Sequence, residues 1–352
     1  TLAQIPASDQ PLQVNGTAAN DDVFILDLSG GDPTPTGGLI FNGGAGGNDV
    51  LRIVGTGQDA TYSPDSFVTG NGVIEVNGKT ITFVGLEPVD MFGFGTVTLN
   101  LPNGDDILTV TNDVDFTFGG MNPAIRVAGT SGGVAIETVA IWSGSTLVID
   151  TTLNSDGDDS ITINGADLTA ANISNLTINT GSGSDAIAIN GDVTLDGNLA
   201  MTTAAGAITQ AGSAVSVGGT TTINTGSADI ALTSATNDFV GPVTLTGANI
   251  SIADANDMTL TSVTASGDVL VTTDDALTLI GTINAGDGTI TLNVNTDGAG
   301  ADDFTMLPGS VITTLNSTSD AVVITVNNLG GGTGDAIIQL ITTAKDCGPT
   351  LG

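Results

Sequence analysis

Four short segments place glycine and carboxylates directly ahead of an apolar run: GGAGGNDVLRI at 43–53, PNGDDILTV at 102–110, NSDGDDSITI at 154–163 and GSGSDAIAI at 181–189. Glycine lets the backbone turn tightly, and a short aspartate in such a turn presents hard oxygen donors of the kind Ca2+ prefers. The candidate cation ligands are therefore Asp49, Asp105, Asp106, Asp156, Asp158, Asp159 and Asp185. The densest group is Asp156, Asp158 and Asp159, three carboxylates within four residues that repel one another unless a cation sits among them. The competing reading is turn chemistry alone, since Gly and Asp also serve simply to turn a chain ahead of a strand.

Other chemistries are poorly supplied. The chain has no histidine and a single cysteine, Cys347, which removes an intrachain disulfide, a Cys/His zinc site and any serine or cysteine nucleophile activated by histidine. Parallel β-helices do host glycan-cleaving enzymes, and paired aspartates can hydrolyse neutral glycans. After Trp142, however, only Phe239 and Phe304 remain to stack on a sugar ring, and a net charge of −34 repels uronates. The sequence reads as non-enzymatic.

That charge comes from 38 acidic residues against four cations, Arg52, Lys79, Arg126 and Lys345. Nucleic-acid binding needs Lys and Arg to displace counterions from phosphates, and anionic membrane surfaces attract the same residues, so both partners are excluded. No apolar run approaches the roughly 20 residues of a membrane-spanning helix. What the chain attracts is cations, above all divalent ones. It opens on Thr1 rather than Met, which suits a processed mature protein or a fragment; if it is processed, an export signal is the missing piece.

The elements that must position the aspartates are strands. Small and β-branched residues dominate the 40% apolar fraction, aromatics are 3%, and there are 50 glycines but only three Glu. Val, Ile and Thr favour pleated strands; Gly, Asn and Asp favour the turns between them. The composition changes near residue 155, after which aromatics and cations almost vanish. Beyond it, Ile223, Val243, Val263 and Ile283 recur every 20 residues, as do Ile230, Ile250, Leu270 and Ile290, and Leu260 with Ile280. Leu232, Ile252 and Leu292 keep the register, broken at Thr272. Fixed self-similarity of this length is the mark of a solenoid, whose rungs stack about 4.8 Å apart and bury their apolar residues as ladders. The expected fold is all-β: a right-handed parallel β-solenoid of about 20 residues per rung, preceded by an irregular β-rich region.

The expected organisation is an extended arm over 1–20, a β-rich region or irregular first rungs over 21–154, the solenoid over 155–345 and a tail over 346–352. Residues 200–215 fall out of register, which predicts a longer loop or a T-shaped excursion there. Asn77-Gly78, between VIEV at 73–76 and KTITFV at 79–84, predicts a tight hairpin. Asp254 and Asp274, one period apart, are expected on adjacent rungs as a like-charge pair.

Three resemblances follow. GPVTLTGANISI and GDVLVTTDDALTLIG, within 241–294, resemble the haemagglutinin-type β-helices of secreted bacterial adhesins, which implies an exported, elongated surface protein. VIEVNGKTITFVGLEPVD at 73–90 resembles modules of very large, acidic, repetitive extracellular bacterial proteins. The Gly/Asp segments resemble the RTX calcium repeat, GGxGxDxUx, and on that resemblance Asp49, Asp106, Asp159 and Asp185 match its aspartate; the copies are not tandem, so the family's shared calcium sandwich cannot form locally.

Together these point to a secreted structural subunit of an extracellular assembly (a filament, sheath, surface layer or matrix fibre), self-associating into a homopolymer and stabilised by Ca2+. In one version the first 20 residues donate a strand to a neighbouring subunit. The alternative is an adhesin stalk or binding module for a glycan or cell-surface partner.

Overall fold

The computed structural model describes residues 10–18, 20–115, 121–153, 157–327 and 333–343. Among them there is no helix, and most strands stack in parallel, as in a β-solenoid. The chain forms two compact units, residues 1–182 and 183–352; the compositional change near residue 155 lies inside the first.

In the second unit, Ala186–Ile189, Ala207–Gln210, Ile230–Leu232, Ile250–Asp254, Val269–Thr273, Ile290–Val294 and Val322–Val326 pair in parallel, each with the next. Strand alternation turns every second residue inward, and the ladder Ile187, Ile208, Ile230, Ile250, Val269, Ile290 is fully buried. A second column carries the ladder Met201, Ile223, Leu245, Val263, Ile283, Ile312 and Ile341. A third, shorter one stacks Val193–Leu195, Val215–Val217 and Asp238–Phe239. Burying each such side chain contributes about 1.5–3 kcal/mol. A single rung holds few of them, so stability accumulates over stacked neighbours.

The fixed period of 20 is corrected. Ladder partners lie 22 residues apart between Val193 and Val243, 17 to 21 apart over the following rungs, and 27 to 32 apart in the last ones. Register shifts at Val243/Thr244 and Leu260/Ser262 absorb part of the difference. Leu270 and Ile280 therefore face outward, and Val271 and Leu279 occupy the ladder positions beside them. The apparent break at Thr272 disappears, because the ladder runs Leu232, Ile252, Val271, Leu292. A slip of one residue moves a side chain to the opposite face, so a period correct on average still misplaces individual residues.

The excursion expected over 200–215 is likewise absent. Leu199–Thr202, Ala207–Gln210 and Val215–Val217 are three strands of a regular rung. Ala and Thr fill so many of its positions that the apolar rhythm is faint.

The first unit also stacks in parallel. One column is Leu12–Asn15, Leu39–Asn42 and Lys79–Val84. Another is Val23–Asp27, Val50–Val54, Val89–Phe92 and Val139–Trp142. A third is Ala60–Pro64, Thr96–Asn100, Gly144–Asp150 and Ile173–Asn179. Antiparallel insertions interrupt these columns. Ile107–Asp115 pairs with Asn122–Ser131, and the predicted hairpin joins Gly72–Val76 to Lys79–Val84. Its turn residues Asn77 and Gly78 have φ of 54° and 70°, the left-handed pair that a two-residue turn between twisted strands requires.

The arm expected over 1–20 is corrected in part. Residues 1–9 lie outside the described residues, but Leu12–Asn15 already pairs with its own chain at Leu39–Asn42. Leu12 and Val14 alternate with Gln13 and Asn15, enough to give a half-buried strand.

Each of the three cations among the described residues faces one aspartate: Arg52 with Asp90 at 2.8 Å, Lys79 with Asp32 at 3.1 Å and Arg126 with Asp113 at 2.5 Å. Lys345 and Cys347 lie outside the described residues. With 38 acids against four cations, most carboxylates have no cationic side chain of their own to face.

Candidate cation site at the strand heads

The structure gives the sequence-predicted acids a common place. Asp49, Asp106, Asp159 and Asp185 each stand two residues ahead of an inward apolar residue, Leu51, Leu108, Ile161 and Ile187 respectively, so alternation turns the carboxylate inward. All four are buried. Three acids that the sequence reading missed stand at the same offset from a ladder residue: Asp22 ahead of Phe24, half-buried; Glu87 ahead of Val89, exposed; and Glu137 ahead of Val139, buried. Because Phe24, Leu51, Val89 and Val139 are ladder partners, Asp22, Asp49, Glu87 and Glu137 share one register. The signal was an acid followed by alternating apolar residues, as in DVLRI, EPVDM and ETVAI; only two of these four acids follow a glycine or asparagine turn, so a search for turns overlooked it.

Most of these carboxylates, and many exposed ones at the corners, hold backbone. Asp49 Oδ1 accepts the Asp22 N–H at 2.9 Å, and Asp21 Oδ1 accepts the Asn48 N–H at 2.8 Å. In the second unit Asp229 Oδ1 accepts the Asn249 N–H at 2.9 Å, Asn249 Oδ1 the Asp268 N–H at 3.0 Å, and Asp268 Oδ1 the Thr289 N–H at 2.8 Å. Each side chain thus satisfies a donor on the adjoining rung where the chain enters a strand, the task of a helix N-cap transferred to a solenoid corner. Asp does this better than Glu because its short stem spans one rung spacing without slack. The partner glycines give clearance: a Cβ on Gly267 would lie 2.4 Å from Asn249 Oδ1, and one on Gly288 would lie 2.1 Å from the Gly267 carbonyl carbon. The bonds to Thr289 also hold the Asp268 carboxyl below its usual range. Asp268→Ala is expected to cost about 1–2 kcal/mol while Asp268→Asn costs only a few tenths, measured by denaturant unfolding. Equal losses in the two variants would show that charge, not capping, matters there.

Of the seven predicted ligands, the structure brings four to one corner. Parallel pairing of Ile107–Val110 with Ser160–Ile163 sets Asp105 and Asp106 against Asp158 and Asp159. Asp105 Oδ1 accepts the Asp158 N–H at 2.9 Å; Asp159 Oδ1 accepts the Asp106 N–H at 2.7 Å and its Oδ2 the Thr151 hydroxyl at 2.5 Å. Asp156 lies outside the described residues. Asp49 sits in another register, with Asp22, and Asp185 belongs to the second unit. Burial pushes the Asp106 carboxyl up to about 7; the Ser131 hydroxyl offsets part of this, and the charges of Asp159 and Asp105 add to it. Among the described residues no three acidic or cysteine side chains converge where one metal ion could sit.

Asp254 and Asp274 do lie on adjacent rungs, the Asp274 N–H donating to the Asp254 carbonyl at 3.0 Å, but their carboxylates are not opposed as a like-charge pair. Asp254 aligns with Thr273, and its buried carboxylate accepts the Phe239 and Asn256 N–H groups at 2.9 and 2.8 Å. Asp274 instead accepts the Thr296 hydroxyl. Burial pushes Asp254 up to about 6. Glu137, buried with Glu87 nearby, is pushed up to about 7 by the same cause, against the N–H bond from Thr138; its main-chain carbonyl accepts the Tyr62 hydroxyl at 2.9 Å.

Residues 165–246 match a family model described as repeats of unknown function (DUF5649). The regular rungs with 22-residue spacing fall largely within that match. No curated protein and no solved structure matches the chain.

Proposed function

We propose that this chain is a structural subunit of an extracellular assembly, extended by adding rungs end to end, with divalent cations from solution, calcium first among them, balancing its acidic faces. The observation that supports this reading is the state of the terminal strands. Among the described residues, Val23–Asp27 in the first unit pairs only with Val50–Val54, and Val322–Val326 in the second pairs only with Ile290–Val294. A strand with one free edge is a template for another strand, and two different free edges make a head-to-tail contact that repeats without closing. The donor-strand version cannot use Leu12–Asn15, which pairs within its own chain.

Electron microscopy of the purified chain in millimolar calcium and in excess chelator, at one protein concentration, tests the proposal. Ordered filaments or sheets in calcium are expected, shortening or dissolving on chelation. Filaments indifferent to chelator would remove the cation from the reading and keep the assembly. Monodisperse particles in both conditions would overturn the assembly and favour an adhesin stalk.

A further inference from the structure

Asp106 behaves unlike the other strand-head acids. Asp49, Asp159 and Asp254 accept backbone N–H groups, whereas neither carboxylate oxygen of the fully buried Asp106 has a hydrogen-bond partner. The nearest donor is the Ser131 hydroxyl, which accepts the Asn103 N–H; it is close enough to lower the Asp106 carboxyl slightly but forms no hydrogen bond to either of its oxygens. The backbone around the acid is tightly set: a Cβ on Gly157 would fall 2.0 Å from the Asp105 nitrogen, so the two acidic turns are in direct contact. The cations among the described residues are paired elsewhere, Arg52 with Asp90, Lys79 with Asp32 and Arg126 with Asp113. A buried carboxylate with no donor bears its full desolvation cost, and a second carboxylate beside it adds repulsion.

We infer that this corner binds one divalent cation of the calcium type, with Asp106 as the principal charged ligand, Asp159 as the second, and backbone carbonyls and water completing an all-oxygen shell. Calcium accepts such mixed oxygen sets with few carboxylates, which suits a corner where no three acids converge. The two ligands stand 53 residues apart in sequence and meet only because their rungs stack, so the site needs no tandem repeat. The inference deepens the cation part of the reading above by naming a site, and it is tested on the dissociated chain so that it can fail independently of assembly.

Calcium binding to the soluble chain is measured by titration calorimetry for the unaltered protein, Asp106→Asn and the corner variant Asp268→Asn. The expected result is that Asp106→Asn loses one equivalent of calcium and the calcium-dependent rise in melting temperature, while Asp268→Asn keeps both. The same stoichiometry in Asp106→Asn as in the unaltered chain would overturn the site. So would an unaltered chain indifferent to calcium that Asp106→Asn stabilises in chelator, because the carboxyl would then carry a proton in place of a cation. If Asp106→Asn fails to fold, hydrogen exchange of the unaltered chain decides: calcium should slow the amides of residues 105–106 and 157–160, and unchanged exchange there would sink the inference.

Discussion

Val271→Asp is expected to abolish cooperative folding of the second unit, whereas Leu270→Asp, its neighbour, should shift the melting temperature by only about 1–2 °C. Val271 is fully buried between Ile252 and Leu292, while Leu270 faces outward. An unpaired carboxylate at position 271 would bring a desolvation cost of several kcal/mol on top of the lost apolar burial. Native domains are stable by only about 5–15 kcal/mol. The damage also falls in the middle of a stack, where one rung carries the interfaces on both its sides. Circular dichroism and calorimetric melting of the two variants check this. If Leu270→Asp proved the more damaging, the ladder would follow the fixed period of 20 and the register described above would be wrong.

The second large effect concerns pH. Asp106 and Glu137 are pushed up to about 7 and Asp254 to about 6, all by burial first, from an unfolded value near 4. Between those values the folded chain binds more protons than the unfolded one, so stability falls as pH rises. That stability is fully present below the unfolded pKa and is lost as pH climbs through the folded ones. Asp27, Asp32 and Asp268, lowered by hydrogen bonds that offset any burial, act oppositely and lose their contribution as pH falls below about 4. In chelator at fixed ionic strength, the melting temperature should therefore be highest in mildly acidic buffer and drop by several degrees toward mildly alkaline pH. Asp106→Asn combined with Glu137→Gln should flatten the slope. A profile that rises with pH in chelator would refute the assignment of these buried carboxyls.

How much of this was legible in the sequence depends on which interaction carried the information. The all-β class was plain from Val, Ile, Thr and Gly, and Asn77-Gly78 fixed its hairpin because few residue pairs tolerate two consecutive positive φ angles. Parallel stacking was legible from repetition. The assignment of Leu270 in place of Val271 failed because both are apolar and adjacent, and only turn length, which sequence encodes weakly, decides which one faces the core. The corner of Asp105, Asp106, Asp158 and Asp159 was half legible. Each pair announced itself locally, but their meeting depends on an insertion, Ile107–Asp115 with Asn122–Ser131, that brings residue 160 back beside residue 107. Asp22, Glu87 and Glu137 were missed because their shared register is a property of stacking, not of any local motif.

The corner bonds also bear on how such a chain changes over time. Asn249 holds the Asp268 N–H with its amide oxygen in the same way that Asp229 and Asp268 hold theirs with a carboxylate. Geometry fixes an oxygen at that place and leaves the charge behind it open. An exchange of Asp for Asn at such a corner would therefore change the surface charge by one and keep the bond. At these corners the fold asks for an oxygen acceptor, and the charge is a separate property carried along with it.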